Sequence, residues 1–151
     1  MNKKMCKELE RTNLDGKKTP PELLVLLDAG FVAQDGCFFI RSLKELCLSV
    51  SIDDFSDKTG FECFVNSVHI DDYVDSDYLA SALLFAQACF DAWKNNDKSY
   101  KLAGVILSDE FGVVVKFHCL RESESWLDEC LEKYEEAVLF TDSSVFSLSV
   151  K

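Results

Sequence analysis

The sequence has few of the residues from which catalytic and metal sites are usually built. Its 151 residues include two histidines, His69 and His118, and six glycines. The HExxH zinc motif, the CxxC pair, the glycine-rich phosphate loop and the GxSxG nucleophile motif are all missing. We therefore predict no catalytic residues, no cofactor and no bound metal, and we expect a protein that is not an enzyme.

The sequence also lacks any apolar run of the roughly 20 residues that a membrane-spanning helix needs. The first ten residues, MNKKMCKELE, contain no apolar segment of the kind found in signal peptides. Seven cysteines are present, but their number is odd and most lie within apolar segments, which is typical of reduced thiols. These absences favour a cytoplasmic protein that makes no contact with membranes.

Basic residues are scarce relative to acidic ones. Sixteen Lys/Arg oppose 27 Asp/Glu, and the resulting net charge of -11 disfavours direct binding to nucleic acid or anionic lipid. The negative charge is concentrated in residues 53–77 and residues 122–142, each with eight carboxylates and one lysine. A basic protein is therefore the expected type of partner.

The order of apolar and polar residues predicts an α+β fold, in which two to three helices pack against a mainly antiparallel sheet. Residues 1–18 mix lysines with polar residues and are predicted to be a flexible or weakly helical lead-in to a single α+β domain at residues 19–151. That domain is expected to begin with a helix, because Thr19 and Glu22 have capping-box spacing and Gly30 supplies a stop.

Alternation with a period of two predicts strands over much of the remaining chain, and three- to four-residue spacing predicts helices. Turn residues separate these elements. The predicted strands are residues 31–40 as a hairpin around Asp35-Gly36, 47–52, 61–70, the hairpin pair 102–107 and 112–119, 138–140 and 145–150. The predicted helices run from Ser76 or Asp77 to about Lys94, ended by Asn95-Asn96-Asp97, and over a short segment that begins near Ser125.

One alternative is a zinc site, whose ligands would be Cys63, His69, His118 and Cys119. Thiolates and neutral imidazoles are suitable zinc ligands, but the strands that carry them would have to pair. The competing interpretation is that Cys63 and Cys119 point into the core, while the neighbouring histidines face outward or towards a helix. The corresponding alternative function is a small metal-dependent or hydrolytic enzyme that uses His69 or His118.

A second alternative is a calcium loop, whose ligands would be Asp71, Asp72, Asp75 and Asp77. The EF-hand pattern requires a central glycine and a terminal glutamate, and this segment has neither. The competing interpretation is that one or two of these aspartates cap the helix that begins near Ser76 and stabilise its first turn.

The two acidic segments also contain aromatic residues, which favours a protein-binding surface over an acidic face that meets only solvent. Charge steers a basic partner towards the surface, and partly exposed aromatic side chains supply the anchors that dominate affinity. An acidic pair followed by an aromatic residue occurs at Asp53-Asp54-Phe55 and at Asp71-Asp72-Tyr73. The residues predicted to bind the partner are Asp53, Asp54, Phe55, Asp71, Asp72, Tyr73, Asp75, Glu132 and Glu135.

The carboxy-terminal half combines a predicted strand with an acidic segment that contains Trp-Leu. Residues 112–118 read GVVVKFH, and residues 124–139 read ESWLDECLEKYEEAVL. This pattern resembles small bacterial immunity proteins of contact-dependent growth inhibition and related polymorphic toxin systems. The resemblance implies a cytosolic protein that binds and neutralises a toxic domain delivered by a neighbouring cell.

Many such toxins are nucleases, whose substrate-binding surfaces must be basic. An acidic protein can occupy that site or its rim and so exclude the phosphate backbone. The resulting hypothesis is stoichiometric inhibition of a cognate toxin C-terminal domain of the nuclease type. An acidic adaptor for an unrelated basic protein is the other alternative, and the sequence leaves the oligomeric state open.

Overall fold

The structure is a computed structural model that describes residues 1–96 and 99–149. Within these ranges the chain forms five α-helices, α1 (Lys3–Arg11), α2 (Pro21–Leu24), α3 (Arg41–Leu46), α4 (Lys58–Val65) and α5 (Tyr78–Trp93). The same ranges contain six strands, β1 (Phe31–Gln34), β2 (Cys37–Ile40), β3 (Ser67–His69), β4 (Leu102–Asp109), β5 (Gly112–Cys119) and β6 (Ala137–Asp142). Among these described helices, none is long and apolar enough to cross a membrane.

The described strands form two antiparallel sheets. β1 pairs with β2 as a separate hairpin, and the larger sheet has the strand order β3-β5-β4-β6. Helices pack against these strands, so the predicted α+β fold is confirmed. Because β5 and β6 both run antiparallel to β4, they are parallel to each other and their connection must cross β4. We call this connection, residues 120–136, the crossover.

Helix α5 covers one face of the larger sheet, as its helical spacing predicts. Phe85 and Phe90 on α5 meet Phe117 on β5 edge to face, with ring centroids 5.9 and 5.8 Å apart. Gly104 on β4 leaves room for this contact, because a Cβ atom there would lie 2.9 Å from Cζ of Phe90. The predicted end of this helix at residues 95–97 includes residue 97, which lies outside the described residues.

The hairpins predicted at residues 31–40 and at residues 102–119 are confirmed. Asp35 and Gly36 turn β1 into β2 with positive φ angles of 54° and 73°, as a two-residue turn requires. β4 and β5 pair along their whole length, up to the turn at Asp109 and Gly112. The longer of these hairpins forms the centre of the larger sheet.

The first predicted helix is present but short. α2 continues as a 3-10 turn at Val25–Leu27, and the chain turns away where Gly30 adopts a φ of 68°. Thr19 does not cap α2, because its Oγ1 donates a hydrogen bond to the Leu84 carbonyl at 3.2 Å. The predicted position of the helix is therefore confirmed, but the predicted capping residue is wrong.

The strand predicted at residues 61–70 is wrong over most of its length. Helix α4 begins where the Asp57 carboxylate accepts a hydrogen bond from Gly60 N at 2.7 Å. Only Ser67–His69 forms a strand, β3. The turn chemistry before this segment is thus a helix cap, and the apolar residues that follow it are buried by a helix.

The strand predicted at residues 47–52 is also wrong. These described residues contain no strand, and Ser51 and Asp54 form a capping box around a 3-10 turn at Ile52–Asp54. Leu48 is exposed, so the alternation here does not mark a buried face.

Two polar residues one turn apart, Glu62 on α4 and Asn66 at the C-cap of α4, join the two sheets. Glu62 accepts hydrogen bonds from Phe38 N of β2 at 2.8 Å and from Cys119 N of β5 at 2.7 Å. Asn66 accepts a hydrogen bond from Ile40 N at 2.9 Å and donates to carbonyls of β2 and β5 at 3.0 and 3.2 Å. Residues i and i+4 share a helix face, which is why a helix can bridge these two strand edges.

Arg121, at the start of the crossover, neutralises the buried Glu62 carboxylate. Its Nη2 and Nη1 lie 2.7 and 2.9 Å from the two carboxylate oxygens, and Glu62 is fully buried. Burial alone would lower the pKa of Arg121, but the hydrogen bond and charge of Glu62 raise it well above its usual range. Glu124 adds a second contact, with its Oε2 3.6 Å from Arg121 Nε. The contacts between Arg121 and Glu62 fix the start of the crossover to α4.

The segment predicted as a flexible or weakly helical lead-in, residues 1–18, contains a helix packed against the sheet. Asn2 Oδ1 caps α1 by accepting a hydrogen bond from Met5 N at 3.0 Å. Asn2 N donates to the carbonyl of Val138 on β6 at 3.0 Å, and Met5 is fully buried in the core. The folded structure therefore includes α1 and extends beyond the predicted boundary at residue 19.

The crossover contains no α-helix, so the short helix predicted near Ser125 is wrong. Its residues are all described, and they form only a 3-10 turn at Leu131–Lys133. The Ser125 hydroxyl donates to the Leu127 carbonyl at 2.7 Å instead of capping a helix. β6 confirms the strand predicted at residues 138–140, whereas residues 145–149 form no strand and residue 150 lies outside the described residues.

Candidate protein-binding surface

The turn between β4 and β5 carries an exposed aromatic side chain. Phe111 is 81% exposed. The Asp109 carboxylate accepts hydrogen bonds from Phe111 N at 2.8 Å and from Gly112 N at 3.2 Å, which fixes the shape of the turn. An aromatic side chain on such a turn loses little further freedom when a partner covers it.

Gly112 allows the 3-10 turn at Ile70–Asp72 to pack against this hairpin turn. Gly112 has a φ of 153°, and a Cβ atom at this position would lie 2.4 Å from Oδ1 of Asp71. The absence of a side chain therefore brings the Asp71 carboxylate next to Phe111.

Carboxylates surround Phe111 on the described surface. Two shallow concavities meet here and share Asp109, Phe111 and Glu136 in their linings. The acidic residues that line them are Glu8, Asp71, Asp109, Glu110, Glu135 and Glu136. Of the described lysines only Lys4 lines them, and its ammonium donates to the Glu135 backbone carbonyl. We call Phe111, these six acidic residues and Lys4 the Phe111 surface.

The Phe111 surface unites the two acidic segments of the sequence. Asp71 from residues 53–77 and Glu136 from residues 122–142 line the same concavity. Two of the predicted partner-binding residues, Asp71 and Glu135, belong to this surface. A third, Glu132, accepts a hydrogen bond from Lys3 N at 2.9 Å, where the amino terminus of α1 favours negative charge.

The tip Asp53-Asp54-Phe55 lies against α4 instead. Asp54 Oδ2 accepts a hydrogen bond from Ser51 N at 2.8 Å as part of the capping box. Phe55 is half-buried and stacks on Phe61, with ring centroids 5.0 Å apart. Its ring therefore contributes to the edge of the core and offers only part of its surface to a partner.

Tyr73 and Asp75 line a different concavity, together with Lys17 and Lys18. Lys17 forms an ion pair with Asp77 at 2.6 Å, and Tyr73 is half-buried against the core. Lysines therefore offset part of the negative charge at this second tip, while Asp72 is exposed.

Sequence reasoning missed Phe111, although the signal was present. Asp109-Glu110-Phe111 repeats the acidic pair followed by an aromatic residue found at residues 53–55 and 71–73. Its position distinguishes it from the other two, because β4 and β5 pair right up to Asp109 and Gly112. An aromatic residue at the tip of such a hairpin projects beyond the layers of the fold.

The histidines and cysteines do not assemble into a metal site in the described part of the chain. His69 pairs with Val114, whereas His118 lies four residues further along β5, on the order of 13 Å away. Cys63 and Cys119 are fully buried and His69 is exposed, as the core interpretation predicts, whereas His118 is buried. Burial raises the pKa of Cys63 to about 12. Such a thiol stays protonated and is a poor nucleophile or ligand. The seven cysteines, all described, form no disulfide.

The aspartates of the possible calcium loop contact different neighbours. Asp71 lies against Gly112, whereas Asp77 is paired with Lys17. The capping interpretation is wrong as well, because α5 has no side-chain cap and Asp77 precedes it in the left-handed conformation with a φ of 55°.

Replacing Gly112 with alanine is expected to lower the free energy of unfolding by about 1–3 kcal/mol, because the backbone becomes strained and the new Cβ collides with Asp71. Urea denaturation measures the loss. Gly16→Ala is the matched control, since Gly16 also has a positive φ but has open space around its Cα. An equal loss in both variants would contradict the tight packing of Asp71 under the turn.

The chain is similar to a bacterial protein along most of its length. It is 31% identical over 137 residues to Uncharacterized protein PM0498 of Pasteurella multocida (strain Pm70), a match that covers 83% of this chain and 85% of that relative. No solved structure matches the chain. The family match extends over residues 1–150 and so includes α1, the Phe111 surface and the crossover. The chain belongs to the Uncharacterized protein PM0498 family.

Proposed function

We propose that this protein is an immunity protein of a contact-dependent growth inhibition or related polymorphic toxin system. It acts in the cytoplasm, where it binds the C-terminal domain of a cognate toxin and inhibits it stoichiometrically. The observation that supports this most is the Phe111 surface, in which an exposed aromatic ring stands among carboxylates from both acidic segments. The protein itself catalyses no reaction in this proposal.

The two parts of the Phe111 surface have different physical roles. Its carboxylates attract a basic partner over distances of about 8 Å at physiological ionic strength and so accelerate encounter. The Phe111 ring then enters an apolar pocket of the partner, where burial of an aromatic side chain slows dissociation. Charge therefore governs the association rate, and the ring governs how long the complex lasts.

A nuclease is the type of toxin that this surface fits best. A nuclease binds the phosphate backbone with lysine and arginine, so the residues that hold its substrate also attract an acidic inhibitor. The inhibitor needs no affinity for nucleic acid or for membranes. The resemblance of residues 112–139 to immunity proteins supports the same class of partner.

Charge reversal on the Phe111 surface is expected to slow association with the toxin domain about tenfold at low salt and to weaken its salt dependence. The suitable variant is Glu110→Lys/Glu135→Lys, because both side chains are exposed.

Phe111→Ala is expected to raise the dissociation rate and to weaken binding by about 2 kcal/mol. Stopped-flow or surface plasmon resonance measurements at two salt concentrations separate the two effects.

Glu22→Lys/Glu45→Lys is the matched control, since it makes the same change in net charge at exposed residues outside the Phe111 surface. If it slows association as much as the first double variant, the overall charge steers binding and the Phe111 surface does not. Asp53→Lys tests the tip at residues 53–55 separately. Thermal melts establish that each variant is folded.

The identity of the partner is tested with the toxin domain encoded directly upstream of the gene. Co-expression of the protein is expected to restore growth to cells that produce this domain, and Phe111→Ala is expected to reduce the rescue. If the toxin domain neither binds nor is neutralised, the immunity proposal fails. A basic partner without toxic activity that shows the same sensitivity at Phe111 would favour the adaptor alternative.

A further inference from the structure

The face of the larger sheet opposite α5 buries a histidine with one unsatisfied ring nitrogen. His118 is 3% exposed, and its Nδ1 lies 3.0 Å from the Cys119 carbonyl. Nδ1 therefore carries the proton and donates a hydrogen bond to this carbonyl, which leaves Nε2 as an unprotonated acceptor. Nε2 is buried and has no hydrogen-bond partner among the described residues. The neutral ring is tolerated here, but a second proton, on Nε2, would have no hydrogen-bond acceptor among the described residues.

Part of the crossover lies on this face of the sheet, next to Lys116 and Phe140. Phe117 points towards α5, so the adjacent His118 and the alternate Lys116 point to the other side of β5. Lys116 Nζ lies 5.7 Å from the ring centroid of Trp126 in the crossover, and the His118 ring lies 6.3 Å from that of Phe140 on β6. Residues 125–130 of the crossover, all described, contain neither a helix nor a strand, so they can move without breaking a regular element.

The charged groups around His118 do not favour a second proton. Burial lowers the pKa of His118 more than the carbonyl it contacts and nearby carboxylates raise it. The positive charge of Arg121 lowers the pKa of His118 further, and Lys116 is the next residue on the same face of β5. The carboxylates that favour the proton are those of Glu62 on α4 and Asp57 at the N-cap of α4, and both already bind Arg121 or backbone N–H groups. An imidazolium therefore gains solvation only when the segment that covers it moves.

We propose that the crossover contains an acid-sensitive latch, in which protonation of His118 loosens residues 125–130 from the sheet while Arg121 stays bound to Glu62 and α5 and the main core stay folded. The open form binds the proton more readily than the closed form, so acid shifts the equilibrium towards opening. Opening begins as the pH falls below about 6.5, the ordinary pKa of histidine, and increases as the pH approaches the lowered pKa of the closed form. This inference concerns the protein alone and does not rest on toxin binding.

The test is fluorine NMR of protein labelled with 5-fluorotryptophan, because the two tryptophans report on different parts of the fold. Trp126 lies in the crossover, whereas Trp93 is buried in α5. Between pH 8 and pH 5 the Trp126 signal is expected to shift while the Trp93 signal stays in place. In His118→Gln the shift of Trp126 is expected to disappear, and in His69→Gln, at the exposed histidine, it is expected to persist.

Several results would overturn the latch. One is a Trp126 signal that does not titrate, another is a shift that persists in His118→Gln, and a third is a joint shift of Trp126 and Trp93, which reports global unfolding. If His118→Gln does not fold, the wild-type protein still decides the question. The midpoint for Trp126 must then equal that of the His118 ring protons, which His69→Gln distinguishes from those of His69.

Discussion

Arg121→Leu is expected to lower the free energy of unfolding by about 3–5 kcal/mol, because it leaves a buried carboxylate without its cation. Glu62 is fully buried and receives two hydrogen bonds from Arg121, at 2.7 and 2.9 Å. Arg121 also donates to the Gly36 carbonyl at 3.1 Å, so its loss loosens the β1-β2 hairpin as well. Urea denaturation at pH 7, followed by circular dichroism, gives the change in stability.

Lys133→Leu is the matched control for this prediction. It removes the ion pair between Lys133 and Asp128 at 3.0 Å, in which both side chains are largely exposed, and should leave the urea midpoint nearly unchanged. If the unpaired charge causes the loss in Arg121→Leu, adding Glu62→Gln should recover part of it. Equal losses in Arg121→Leu and Lys133→Leu would show that the buried ion pair contributes no more to the free energy of unfolding than the exposed one.

Asn66→Leu is expected to lower the free energy of unfolding by about 3 kcal/mol, since each buried polar group left without a partner costs about 1–3 kcal/mol. The substitution removes the acceptor for Ile40 N and the donor to two carbonyls, at distances of 2.9, 3.0 and 3.2 Å. Because these groups belong to β2 and β5, the junction of the two sheets is weakened. Urea denaturation measures the loss, and hydrogen exchange at the Ile40 amide should accelerate.

Asn96→Leu makes the same chemical change at an exposed asparagine that donates to the Ala92 carbonyl. Its effect is expected to stay within about 0.5 kcal/mol. If Asn66→Leu were no more costly than Asn96→Leu, α4 would not join the sheets through its polar side chains. Slow exchange at Ile40 in the Asn66 variant would lead to the same conclusion.

The elements that could be predicted from the sequence are those with local causes. Asp35-Gly36 favours a two-residue turn whatever surrounds it, and both residues adopt the positive φ angles of that turn. α5 has apolar residues at helical spacing over four turns, which no strand pattern imitates. The β4-β5 hairpin combines two apolar runs with an acidic, glycine-containing turn.

The elements that could not be predicted depend on contacts between distant residues. A run such as Phe61–Val65 fits a strand or a helix, and the choice is made by Glu62 and Asn66, which bind β2 and β5 more than 20 residues away. The local sequence of the crossover also favours a short helix near Ser125, but the path that the crossover takes across β4 contains no α-helix. Periodicity alone does not contain this information.

The acidic composition of the candidate site could be predicted from the sequence, but the aromatic residue at its centre could not. Charge counts identified two acidic segments, and Asp71 and Glu135 do lie on the Phe111 surface. Which aromatic ring is exposed depends on tertiary packing, because Phe55 is half-covered by Phe61 while Phe111 projects from a hairpin tip. Three equivalent tripeptides in the sequence thus have unequal exposure in the fold.

The hydrogen bonds between Asn2 and Val138 impose an order of events during biosynthesis. These residues are 136 positions apart, so α1 leaves the ribosome long before the strand on which it docks exists. Until β6 has emerged, the outer edge of β4 is unpaired and open to other nascent chains. Pairing of β6 is therefore a late step in the formation of this sheet, and the edge of β4 stays open to aggregation until β6 has emerged.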